Sequence, residues 1–204
     1  MKGQNNSLKG VVQILLGVSM LVAFILLGNY NWPKAQRQES EKFSEVYPNV
    51  GKDNVFVYKR LKEINQILTK ESGIIFLGFP ACIWCQSYVQ YVNEVAKEMQ
   101  IDKIYYYDIY HDRNNLSPDY QQTVKILGDM LPINDNNERR IYVPNLTVVK
   151  DGKIVFNDNE TATIFSTVEN PTEEYWTDEK VEDFKNKLRI AFKDFSPICI
   201  DCNN

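Results

Sequence analysis

Four consecutive large apolar residues, Ile74-Ile-Phe-Leu77, lie between Gly73 and Gly78 and lead directly into a cysteine pair, Gly78-Phe-Pro-Ala-Cys82-Ile-Trp-Cys85. A strand that is apolar at every position must be covered on both faces, so this run reads as the centre of a sheet with helices on either side. Behind the cysteines, Tyr88, Val92, Val95 and Met99 recur at helical spacing and predict a helix over about 83–99. The chain has only four cysteines, and two of them stand at this strand-to-helix junction. Strand, Cys-x-x-Cys, helix is a thiol–disulfide signal.

The remaining elements follow the same alternation. Val57, Leu61, Ile64 and Leu68 predict a helix over about 58–70, led by a short strand at Asn54–Tyr58. Lys103–Ile109 is rich in β-formers, and Pro118 opens a helix over about 118–130 carrying Val124, Leu127 and Leu131. Asn145–Val149 and Ile154–Phe156 flank Lys150-Asp-Gly-Lys153 as a β-hairpin. From Asp178 a last helix aligns Val181, Phe184, Leu188 and Phe192, whereas the polar stretch 157–177 carries no assignable pattern. Strand, helix, strand, helix, hairpin, helix is an α/β order, and it calls for a central mixed sheet flanked by helices.

No charge interrupts Val11 to Gly28. At ~1.5 Å per residue a helix of that length reaches ~27 Å, close to the hydrocarbon thickness of a bilayer. Lys2 and Lys9 precede it without an acid, which favours a cytoplasmic N-terminus over 1–10 and a transmembrane anchor over 11–28. A cleaved signal peptide competes with this reading. Its apolar region is shorter, about 7–15 residues, and it needs a small-x-small cleavage site that Asn29-Tyr-Asn-Trp-Pro33 does not offer. Polar residues then suggest a tether over 29–53, a globular domain over 54–194 and a cysteine-containing tail over 195–204. Localisation at the cell membrane follows, single-pass, with the domain on the extracytoplasmic side, where disulfides persist. Lys and Arg number 23 against 27 Asp and Glu, a net charge of −4, which argues against nucleic acid as a partner.

The chain resembles the thioredoxin superfamily over about 54–193. Ile74 through Cys85 looks like that family's central strand running into its redox motif. Val143-Pro144-Asn145 looks like its cis-proline segment, and Lys150-Asp-Gly-Lys-Ile-Val155 like the hairpin beyond. Together with the apolar N-terminus, the Phe-Pro-Ala-Cys-x-x-Cys style is similar to membrane-tethered thioredoxin-like proteins of Gram-positive bacteria, including bacteriocin-transport accessory proteins. The resemblance implies a cis peptide before Pro144, with the Val143 backbone left to pair with a substrate strand. Two departures stand out. Ala81 replaces the Trp that many relatives carry, and Phe76 stands where the thioredoxins proper have a buried acid that assists proton transfer.

Cys82 at a helix start faces unpaired N–H groups and the positive end of the helix dipole, which stabilise a thiolate. It is the expected nucleophile, with Cys85 as the resolving thiol, and both are the catalytic candidates. Ile83 and Trp84 offer an apolar rim for substrate, with simple packing over the helix start as the plain reading of Trp84. Three readings of Cys199 and Cys202 remain open: a small disulfide loop, a second redox pair exchanging with the first, or half of a zinc site. Ribbon-type zinc sites separate their cysteine pairs by ~15–20 residues, far fewer than residues 86–198 between these pairs, so no metal is expected. His111, the only histidine, lies among polar residues and reads as a solvated turn.

The expectation is thus an extracytoplasmic thiol–disulfide oxidoreductase exchanging disulfides with protein or peptide substrates. It would use no cofactor beyond the Cys82–Cys85 pair and would be recharged by an unidentified redox partner. The alternative is a non-catalytic accessory or binding module for peptide or bacteriocin export, with a structural disulfide.

Overall fold

β2 (Gly73–Gly78) is buried at all six positions and sits third in a five-stranded sheet of order β1-β3-β2-β4-β5. β1 (Phe56–Tyr58) and β3 (Ile104–Asp108) run parallel to it, β4 (Asn145–Lys150) runs antiparallel to it, and β5 (Lys153–Asp158) pairs antiparallel with β4. The computed structural model describes residues 35–159, 161–163 and 169–197. The result is an α/β fold with a mixed sheet flanked by helices, as the element order predicts. Register places Phe76 opposite Tyr106 on one side and Leu146 on the other.

The helices are α2 (Leu61–Lys70), α3 (Ile83–Glu98), the short α4 (Tyr110–Asn115), α5 (Pro118–Leu127), the one-turn α6 (Pro171–Glu174) and α7 (Asp178–Phe192). Three of them bury the stripe their sequence marks: Leu61, Ile64 and Leu68 on α2, Tyr88, Val92 and Val95 on α3, and Phe184, Leu188 and Phe192 on α7. The unassigned stretch 157–177 extends β5 to Asp158 and contributes α6, whose Asn170 precedes Pro171 at the first helical position. At the β4–β5 turn, Gly152 has φ of 70°, and a Cβ there would lie 2.5 Å from the Thr69 carbonyl oxygen, so only glycine fits.

Two units divide the chain, 1–38 and 39–204. Residues 35–46 are helical (α1), and the division falls within that helix. The tether expected over 29–53 is therefore corrected in its second half. Phe43 and Tyr47 are completely buried, and Phe43 stacks on Phe56 with ring centroids 4.1 Å apart. Phe43, Val46, Tyr47 and Val50 form a narrow i, i+3, i+4, i+7 stripe whose charged neighbours disguise it. Burying such an aromatic side chain contributes about 2–3 kcal/mol, too much for a mere spacer. The compact unit thus begins by Glu39 and not at 54.

The anchor expected over 11–28, and Cys199 and Cys202, lie outside the described residues. Among the described residues no helix is long and apolar enough to cross a membrane.

Candidate functional site

β2 ends at Gly78, and the turn Phe79-Pro80-Ala81 delivers Cys82 as the N-cap of α3. The Cys82 N–H donates to the Phe79 carbonyl at 3.1 Å. Gln86, one turn into the helix, fixes the approach by donating from Nε2 to the carbonyls of Val46 (2.7 Å) and Pro80 (2.8 Å). Gly78 is required here. A Cβ would meet the Phe76 ring at 2.8 Å and the Tyr47 hydroxyl at 3.2 Å.

The two thiols are free and occupy opposite surroundings. Cys82 Sγ accepts the Cys85 backbone N–H at 3.1 Å, an orphan donor of the first helical turn. A hydrogen bond from the Cys85 thiol, backbone N–H groups of Cys85 and Trp84, and the positive charge of Arg113 hold Cys82 below its ordinary value, against a desolvation that works the other way. Cys85 is wholly buried, and burial first, with its bond to Cys82 and the charge there next, pushes its thiol well up. One thiol is shifted toward ionisation and the other away from it.

Across from Cys82, the Val143–Pro144 peptide is cis. As a thiol, Cys82 Sγ donates to the Val143 carbonyl at 3.8 Å. Cys82, Cys85, Val143 and Pro144 are thus brought to one place, from two stretches of chain far apart in sequence. Ile83 is 46% exposed beside them. Trp84 is half-buried, with its ring edge-on to Tyr175 at 5.2 Å, so it packs over the helix start as well as facing the rim. His111 is exposed on α4 and hydrogen-bonds Asn115. Among the described residues no cluster of His, Cys, Asp or Glu could hold a metal ion. A cavity of about 170 Å³ lined by Asp158, Trp176, Lys180 and Phe184 shares no residue with the thiol site.

Two contributors are not evident in the sequence. Arg113 projects from α4 with its guanidinium 4.9 Å over the Phe79 ring, and its Nε is buried without an acceptor among the described residues. Parallel pairing of β3 with β2 puts the C-terminal ends of both strands on one edge, and Ile109 N–H bonds the Gly78 carbonyl at 3.1 Å. Residues just beyond β3 therefore approach residues just beyond β2, a topological signal that could have picked out Arg113. The other is Tyr47, whose hydroxyl lies 3.3 Å from that of Tyr106. Burial above all raises its phenol, so that it stays neutral. Phe76, at the position where an acid is absent, lies within this aromatic layer, stacked on Tyr106 and Tyr88.

No protein-family model and no curated protein matches the chain. The mixed sheet flanked by helices is compatible with a thioredoxin-like fold.

Proposed function

We propose that the chain is a membrane-anchored thiol–disulfide oxidoreductase of the thioredoxin superfamily, of the bacteriocin-transport accessory type, that exchanges disulfides with proteins or peptides outside the cytoplasm. The observation that carries this reading is the opposite displacement of the two thiols three residues apart: Cys82 held toward the thiolate at a half-exposed helix start, Cys85 kept neutral and buried. A thiolate is the species that attacks, and a protected thiol is what resolves. The uncharged run Val11–Gly28 supports the anchor, and the compartment follows from it.

In the reductive direction the Cys82 thiolate attacks one sulfur of the substrate disulfide. The S–S bond breaks, and the leaving sulfur departs as a thiolate and takes up a proton. Cys85 then gives up its proton and attacks Cys82 Sγ, which releases the second substrate thiol and closes the Cys82–Cys85 disulfide. Two electrons pass to the substrate, and a dithiol partner must return them. Oxidation of substrate is the same sequence reversed. The Val143 carbonyl, 3.8 Å from the reacting sulfur, lies where an extended substrate segment can pair with it. Ile83 and Trp84 supply the apolar side of that approach.

Turnover of a protein disulfide by the full-length chain in detergent, compared with Cys82→Ser, tests the proposal. Loss of turnover to background in the variant is expected. Equal rates would overturn the catalytic reading in favour of an accessory module.

A further inference from the structure

Three arginines elsewhere in this protein hold carboxylates. Arg60 reaches Glu63 at 3.0 Å, Arg139 reaches Asp129 at 2.5 Å and Arg189 reaches Glu98 at 2.8 Å. Arg113 and Arg140, by contrast, have no carboxylate partner among the described residues; Arg113 acts on Cys82, and Arg140 stands three residues before Val143. Arg113 lies on the Phe79 ring at the entry to the cysteine turn, with its Nε buried and unbonded. Arg140 lies 6.0 Å from the centre of the Tyr142 ring, on the segment that ends at Val143-Pro144. Tyr120 ties the two together. Its hydroxyl accepts the Ile141 N–H at 3.3 Å, and its charge state responds to both guanidinium groups. The two cations also repel, which adds to the burial that already weighs on Arg113. Partly desolvated like charges without a counter-ion are an unfavourable arrangement that an incoming anion relieves.

We propose that Arg113 and Arg140 form a carboxylate-binding subsite beside the thiol pair, which selects substrate segments that carry Asp or Glu close to the reacting cysteine. Arg140 is three residues before Val143, and three residues of chain span at most about 10 Å. A substrate strand paired with Val143 would thus bring a side chain about two or three positions from its cysteine up to Arg140. The chain as a whole carries a net charge of −4, which disfavours acidic partners, so the preference must come from this local pair. The subsite rests on the oxidoreductase reading.

The test uses two disulfide-bridged peptides that differ only in Glu or Gln two positions from the cysteine. Their exchange rates with the full-length chain are compared at low salt. The Glu peptide is expected to react faster by about tenfold, the size of one charge-assisted hydrogen bond. Arg140→Gln should bring the ratio of the two rates toward one, and Arg140→Glu should invert it. Because a ratio is read, partial loss of folded protein cancels. Equal rates for both peptides in the wild type, or a ratio indifferent to both substitutions, would overturn the subsite and leave the oxidoreductase reading standing. Failure of both peptides to react at all would overturn the two together.

Discussion

Behind Cys85 and in front of Cys82 the protein presents two unlike environments, separated by a single helical turn. The rear is an aromatic layer from five segments of chain: Phe43, Tyr47, Phe56, Phe76, Tyr88 and Tyr106, all essentially inaccessible. Within it the hydroxyls of Tyr47 and Tyr106 lie 3.3 Å apart, and that of Tyr88 donates to Asp158. The front is a helix start with backbone N–H donors, a cis Val143–Pro144 peptide and the Arg113 guanidinium, whose Nε has no acceptor among the described residues. Low polarity behind and positive potential in front act on two identical thiols and drive them apart. Motif spacing alone makes a pair of cysteines; the asymmetry of their surroundings is what the proposed roles of attacker and reserve require.

The strongest way to break the rear environment is Phe43→Ala. A cavity in the aromatic layer should lower unfolding stability by about 3–5 kcal/mol, read by chemical denaturation. A change within about 0.5 kcal/mol would instead mean that residues near 43 are the spacer their composition suggests. Gly78→Ala attacks the junction of the two environments. Its methyl would press on the Phe76 ring and the Tyr47 hydroxyl, and a loss of about 1–3 kcal/mol is expected from the same measurement.

Arg113→Gln sharpens the comparison from the front. Removing a cation destabilises the anion it faces, so the Cys82 titration moves to higher pH and its reactive fraction at neutral pH falls. Site-resolved alkylation against pH reads this shift, and an unmoved curve would remove Arg113 from the account. The smallest effect belongs outside both environments. Arg189 grips Glu98 through two bonds of 2.8 and 3.0 Å between α7 and α3, yet Glu98 is half exposed. Glu98→Gln should cost about 0.5–1 kcal/mol and leave thiol reactivity unchanged, which makes it the control for the other three.

Much of the arrangement was legible in the sequence. Glycines at 73 and 78 bracket β2, helical spacing marks α3 and α7, and Asp151-Gly152 marks the hairpin, because these signals are local. Cys82, Cys85, Val143 and Pro144 were likewise readable as a set, and the structure brings them together. What escaped depends on distant parts of the chain. Phe43 and Tyr47 sit in a charged segment, and only the sheet they pack on turns that segment into core. Arg113 reads as one more polar residue beside His111 until the parallel pairing of β3 with β2 carries it to the cysteine turn. Tyr47 and Tyr106, 59 positions apart, give no sequence sign that their hydroxyls meet.

The proposed exchange depends on the inequality of the two thiols. Alkylation of the reduced full-length protein across a pH series, with Cys82 and Cys85 quantified separately by mass spectrometry, measures that inequality directly. Cys82 should react with a midpoint below the ordinary thiol value of 9.0, while Cys85 stays protected throughout the series. A Cys82 midpoint at or above 9.0, or equal reactivity of the two, would contradict the account.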